Sequence, residues 1–158
     1  RCFVAGTDEV EEALRQDIGV ALDCMQPDEM CLPGMIDLHV HAPQYSFAGT
    51  ATDLPLMQWL QKYTFPAERR MADASFAKAV YKSLVSKLLA HGTTTAVYYS
   101  SIHLEATEVL VDVCRELGQR AVVGKVCMDQ NGADDYIETT EASLSDTEAL
   151  IRYCYSCE

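Results

Sequence analysis

Apolar positions along this chain follow two periods, and together they lay out its elements. Between residues 73 and 91, Phe76, Val80, Leu84, Val85, Leu88 and Leu89 fall at helical spacing. They predict a long amphipathic helix that Gly92 stops at the C′ position. Leu110, Val113, Cys114 and Leu117 share one face and predict a second helix over 104–117, with Gly118 after it. A shorter helix is expected over 54–63, with Asp53 as N-cap, Pro55 at its first position and Pro66 ending it. A last helix is expected from Thr140 to about Tyr153, capped by Thr140 or Ser143.

Three other segments are apolar or β-branched without helical spacing. Residues 35–41, 93–99 and 121–128 predict buried strands. Residues 1–32 are mixed: a short strand at 1–5, a helix-like stretch at 8–15 and a polar loop around Asp28 and Glu29. From residue 35 the order is strand, helices, strand, helix, strand, helix. Strands without clean alternation, interleaved with helices, imply a parallel sheet covered on both faces. Three βα units make either an open doubly wound sheet or fewer than half of a (β/α)₈ barrel, which takes roughly 250 residues.

The first strand carries the chemistry. His39 and His41 stand at i and i+2, and alternate side chains on a strand share a face. Both imidazoles then point the same way, next to Asp37. Two neutral imidazoles so placed can hold two corners of a transition-metal site. Two chance histidines on a strand are the plainer reading of so short a pattern. The placement favours the metal: the pair closes an apolar strand and runs into the small, polar loop 42–52. In α/β folds, sites form where strands hand over to loops at their carboxyl ends.

Composition narrows the function. The 158 residues are 49% apolar, enough for one domain with a core. Twelve basic against 24 acidic residues, net −12, argue against a phosphate-binding surface. No apolar run reaches membrane-spanning length, and Arg1–Gly6 does not look like a signal peptide. Seven cysteines, an odd and scattered set, fit a reducing, cytoplasmic protein without a disulfide framework. The first residue is not Met, which suggests a piece of something longer.

Residues 33–69 carry a more specific signal. The run His39-Val40-His41-Ala42-Pro43-Gln44-Tyr45-Ser46-Phe47-Ala48-Gly49 is followed by Leu54-Pro55-Leu56, Trp59-Leu60 and Lys62-Tyr63-Thr64-Phe65-Pro66-Ala67-Glu68. With Gly92-Thr93-Thr94-Thr95-Ala96, Gly118-Gln119-Arg120-Ala121 and Val123-Gly124-Lys125-Val126-Cys127-Met128-Asp129, it resembles the guanine deaminases of the amidohydrolase superfamily over roughly residues 30–150. The resemblance implies a partial (β/α)₈ (TIM) barrel of the metal-dependent hydrolase type, with about three βα units. Residues 1–32 would be the end of a small N-terminal β domain and linker, and 33–158 the N-terminal part of the barrel.

The resemblance also implies a reaction, the hydrolysis of guanine to xanthine and ammonia with zinc. It makes His39 and His41 zinc ligands and gives His41, Ala42, Pro43 and Gln44 to the purine site. Gln44 suits that role, since an amide offers both a donor and an acceptor to a purine edge; a loop-capping amide is its bland alternative. A cytoplasmic homodimer, with no nucleic-acid or membrane partner, is expected of the full enzyme. The family's two further histidines, aspartate and catalytic glutamate come from later strands, and no such motif is present in this sequence. No catalytic residue is therefore expected here, and the chain alone is expected to be inactive. A truncated, non-catalytic product of the same family is the alternative, or another amidohydrolase acting on aminopurine-like rings. The tail Tyr153–Cys157 looks unlike the family.

Other chemistry-bearing residues have plainer readings. His91 caps a helix end, and His103 lies on the catalytic side without being a family ligand. His103-Leu104-Glu105 with Cys154-x-x-Cys157 imitates an unrelated zinc-deaminase pattern, but Tyr153 stands where that pattern has Pro. Arg120 and Lys125 read as strand-end charges. Glu105 and Glu108 read as first-turn helix acids, and Met128-Asp129 as packing at the rim.

Overall fold

The structure, a computed structural model, describes residues 28–157. The strand expected at 1–5 and the helix-like stretch at 8–15 lie outside these residues, as does most of the segment read as a β-domain remnant. The chain divides into two compact units, Arg1–Pro33 and Gly34–Glu158. The second carries the elements that follow.

Strand β1 spans Met35–His41. A 3₁₀ turn, Ala42–Phe47, follows it directly. Helix α1 (Leu56–Trp59) widens into a π turn over Leu60–Thr64 and re-forms as α2 (Phe65–Arg69). Then come α3 (Ala74–Ala90), β2 (Thr93–Tyr99), α4 (Leu104–Leu117), β3 (Arg120–Gly124) and α5 (Thr140–Ser156). The sheet order is β1-β2-β3 with both pairings parallel, as the alternating pattern predicts. The register aligns His41 with Tyr99 and Tyr99 with Gly124, so these three residues form one row at the carboxyl ends.

The caps explain where α3 and α4 start and stop. Asp73 Oδ1 accepts from the backbone N–H of Ser75 (2.9 Å) and Phe76 (3.2 Å), which satisfies two orphan donors of α3. Gly92 and Gly118 follow α3 and α4 at φ +87° and +74°, a left-handed turn that glycine adopts without a Cβ penalty. Tyr81, Leu84 and Val85 of α3 and Leu110, Val113 and Cys114 of α4 bury one face of the sheet at Ala96 and Tyr98. The Tyr98 hydroxyl, otherwise stranded there, donates to Gln119 Oε1 at 2.5 Å, and Gln119 Nε2 donates to the Thr93 carbonyl at 2.9 Å.

Four expectations need correction. Asp53 does not cap the first helix: Pro55 occupies the cap position, with no side-chain bond. Pro66 does not end that helix either. The wide turn, closed by Phe65 N–H to the Leu60 carbonyl, sits just before it, so the missing N–H of Pro66 falls at the start of α2. Strand β3 stops at Gly124 rather than 128, because Val126 N–H leaves the ladder for the Ser101 carbonyl (3.1 Å) and Lys125 turns inward to Glu138. Thr139, not Thr140 or Ser143, caps α5, its Oγ1 accepting from Ala142 N–H at 3.1 Å.

The expected two-faced burial of the sheet is not met among the described residues. Met35, Ile36, Leu38 and Val122 are exposed, Ile36 at 66% and Val122 at 61%. Helices α3 and α4 cover the face of Ala96 and Tyr98. Three strands are too few to close, so the opposite face, which a barrel packs against its other strands, meets no partner here.

Candidate metal and ligand site

The carboxyl-terminal row of the sheet builds the site. β1 is irregular between Asp37 and Val40, yet His39 and His41 still converge, their Nε2 atoms 3.1 Å apart. Asp37 Oδ1 accepts the His39 backbone N–H at 3.0 Å and steadies that irregular stretch. The ring of Tyr99 lies 5.1 Å from His41, stacked, and 4.7 Å from His39, tilted. Burial, with a smaller contribution from His39, holds His41 below the ordinary imidazole range. The neutral ring this favours is the form that ligates metals. His41 Nδ1 is buried and has no hydrogen-bond partner. Asp37 spends its near oxygen on backbone, and among the described residues no group of three His, Cys, Asp or Glu assembles around one point. The donor set therefore fits two corners of a metal site.

The 3₁₀ turn places the next residues. Pro43 stands in its first turn with φ pre-set, and Ala42 and Pro43 are buried inside it. Gln44 is half-buried on its surface and lines two cavities that both reach His41. One, of about 300 Å³, runs under Tyr45, Phe47 and Trp59. The other, about 340 Å³, lies between two walls. The first wall carries His41, Gln44, Phe65 and Glu68; the second, from the loop after β3, carries Val126, Met128 and Gln130. Volumes of this order suit a single small heterocycle.

Two residues without an assigned role in the sequence matter here. Glu68, 4% exposed, is held up at about 7 by burial, against a hydrogen bond from Tyr136 that lowers it. Tyr136 is fully buried, and its hydroxyl accepts the Ile102 N–H at 3.1 Å. Glu68 stands in the quoted Lys62–Glu68 run, and Tyr136 is the one aromatic in a polar loop, the signals that could have singled them out.

The decoys resolve simply. His91 Nδ1 lies 2.8 Å from the Lys87 carbonyl at the end of α3, as expected of a helix-end residue. His103 sits edge-on to Tyr136, ring centres 6.0 Å apart, its Nε2 buried and unpartnered. Cys154 and Cys157 line a separate cavity of about 250 Å³ with Cys114, away from His103 and Glu105, so the imitation of the other deaminases does not assemble. Met128 lines the site cavity, while Asp129 turns to accept from Thr140 Oγ1 at 2.7 Å. Lys125 is no strand-end surface charge: its side chain is 0% exposed and bonds both oxygens of Glu138, at 2.9 and 2.7 Å.

With this geometry in hand, the likenesses to known proteins are specific. The amidohydrolase family profile matches residues 30–156, which takes in most of the tail expected to depart from it. Guanine deaminase of Dictyostelium discoideum is 53% identical over 124 residues, 78% of this chain and 28% of that protein. Human guanine deaminase is 46% identical over 151 residues, 90% of this chain and 33% of that protein. The chain thus spans about a third or less of these curated relatives. The crystal structure of C. acetobutylicum guanine deaminase with guanine bound in its active site superposes with a TM-score of 0.74 at 40% identity, over 76% of this chain and 29% of that one. E. coli guanine deaminase superposes with a TM-score of 0.67 at 34% identity.

Proposed function

This chain belongs to the amidohydrolase family, its three βα units forming part of that barrel, and we propose that it is the amino-terminal portion of a guanine deaminase. Joined to the remaining strands, it hydrolyses guanine to xanthine and ammonia. The observation that carries this reading is the opening of Gln44 and of His41, which is paired with His39, onto one cavity at the carboxyl end of β1.

His39 and His41 are the metal ligands in this reading, and the metal is zinc. Their 3.1 Å separation lies within the span of two nitrogens each about 2.1 Å from one ion. When bound, zinc supplies the Lewis acidity that makes hydroxide available near neutral pH. Gln44 presents an amide donor and acceptor to the purine edge. Ala42 and Pro43 fix the turn that aims it. Phe65 and Met128 give the cavity apolar walls against the ring faces. The general acid/base that carries a proton to the departing ammonia belongs to the rest of the barrel. This chain alone does not turn guanine over.

The net charge of −12 gives no surface for nucleic acid, and no described helix is long and apolar enough to cross a membrane. The full enzyme works in the cytoplasm as a homodimer. The exposed Ile36, Leu38 and Val122 favour one second reading, a non-catalytic product that associates with a complete subunit. The test joins this chain to the remaining barrel of the Dictyostelium relative and follows xanthine formation. Guanine turnover that a chelator removes and zinc restores is the expected result. A folded, zinc-loaded chimera without turnover contradicts the reading.

A further inference from the structure

The two imidazoles at the end of β1 lack the device that usually aims metal ligands. A histidine that ligates a metal normally gives its second ring nitrogen to a carboxylate, a carbonyl or water, which fixes the ring. The Nε2 atoms face each other at 3.1 Å, so that role falls to Nδ1. His41 Nδ1 is buried without a hydrogen-bond partner, and among the described residues no carboxylate or carbonyl receives His39 Nδ1. Asp37, the nearest carboxylate in sequence, accepts the His39 backbone N–H instead, at 3.0 Å. The ladder does not secure the pair either, since β1 shifts its register on β2 between Asp37 and Val40. Tyr99 is what touches both rings. It stands opposite His41 in the register, and neighbouring strands lie only about 4.8 Å apart. Its ring is stacked on His41, centres 5.1 Å and planes 22° apart, and tilted against His39 at 4.7 Å and 43°. Successive strand residues point to opposite faces. Tyr98 is therefore sunk in the core with its hydroxyl bonded to Gln119. Tyr99 is 38% exposed on the other face, and its hydroxyl makes no hydrogen bond among the described residues.

We propose that Tyr99 is a positioning residue for the metal ligands: its ring, in place of a hydrogen bond, holds both imidazoles with their Nε2 atoms aimed at one ion. This rests on the reading of His39 and His41 as metal ligands, but the stacking itself does not. Unheld, each imidazole turns about its side-chain bonds, and capturing an ion must freeze both rings. Stacking orders them beforehand, so less freedom is lost on binding. The hydroxyl has no part in this, and a phenylalanine ring at the same position serves equally. Tyr99 touches neither the ion nor the substrate in this role.

Nuclear magnetic resonance of the 158-residue chain tests it, comparing wild type, Tyr99→Phe and Tyr99→Leu. Without metal, the ring protons of His39 and His41 are expected to show cross-relaxation to each other in wild type and Tyr99→Phe, and to lose it in Tyr99→Leu. Titrated with zinc, Tyr99→Phe should bind within about twofold of wild type and Tyr99→Leu about tenfold more weakly, the low end of what losing a ligand's support costs. Amide exchange across β1 and β2 should be alike in all three, which separates the aim of the rings from a loosened sheet. In the chimera with the Dictyostelium barrel, where the sheet has its neighbours, competition with a chromophoric chelator should give the same order of zinc affinity. Unchanged affinity in Tyr99→Leu, a Tyr99→Phe protein as weak as Tyr99→Leu, or a loss that comes with faster exchange throughout both strands overturns the proposal. Ring contacts that survive Tyr99→Leu overturn the stacking whatever zinc does. A wild type whose imidazoles ignore zinc, while their contacts still respond to Tyr99→Leu, counts against the metal reading rather than the stacking.

Discussion

The Nε2 atoms of His39 and His41 lie 3.1 Å apart, with the Tyr99 ring stacked on one imidazole and tilted against the other. Two ligands make a weak site, because structural and catalytic zinc sites normally use three or four protein ligands. Zinc added to the 158-residue chain is therefore expected to shift the ring resonances of His39 and His41 and to wash out on gel filtration. His91, bonded to the Lys87 carbonyl, should not respond. Zinc that shifts His91 first, or survives chelation, contradicts the assignment.

The buried Lys125–Glu138 pair fixes the loop after β3. Burial alone would raise the Glu138 pKa, but the bonds from Lys125 and the Met128 N–H outweigh it and hold it below the usual carboxylate range. Its stabilisation is thus present at neutral pH and lost as pH falls through that depressed value. Lys125→Met should cost about 3–5 kcal/mol, since it strands a buried carboxylate. Lys125→Met with Glu138→Leu should recover most of that. Urea denaturation at pH 7 decides it, and a single variant as stable as wild type contradicts the burial.

Glu68 titrates in the opposite sense. Burial raises it from 4.5 to about 7, against the bond from Tyr136 and with Tyr81 of α3 nearby. Below 4.5 folded and unfolded chains are both protonated there; between 4.5 and 7 only the folded chain keeps the proton. Its contribution to stability therefore falls as pH rises across that window. Glu68→Gln removes this loss. It should match wild type near pH 4 and gain on the order of 3 kcal/mol over it by pH 8, at about 1.36 kcal/mol per unit. A stability difference that is flat with pH rules out the shift.

The uncovered sheet face predicts association. Ile36, Leu38 and Val122 expose apolar area on strands, and β1 and β3 are the outer strands of the sheet among the described residues, edges that natural sheets normally shield. Sedimentation of the 158-residue chain should show concentration-dependent oligomers, reduced by Val122→Lys. A monodisperse monomer at high concentration contradicts this.

Much of this was legible in the sequence. Helical spacing from Phe76 to Leu89, with Gly92 behind it, marks α3 because a 3.6-residue period and a left-handed cap are local properties. The HxH pair is legible because a strand repeats every two residues. What escaped depends on distant partners. Pro66 looks like a stop until the π turn before it is seen. Lys125 looks like a surface charge until Glu138, thirteen residues on, turns inward to meet it. Glu68 stands in a motif, yet its burial depends on the fold and on residues as distant as Tyr136, two helices and two strands further along the chain.

The most direct measurement is xanthine formation from guanine by the 158-residue chain and by the same chain joined to the remaining barrel. The account predicts none from the chain alone and zinc-dependent turnover from the joined protein, abolished by His39→Ala or His41→Ala and spared by His91→Ala. Robust turnover by the chain alone, or a joined His41→Ala protein as active as wild type, would contradict it.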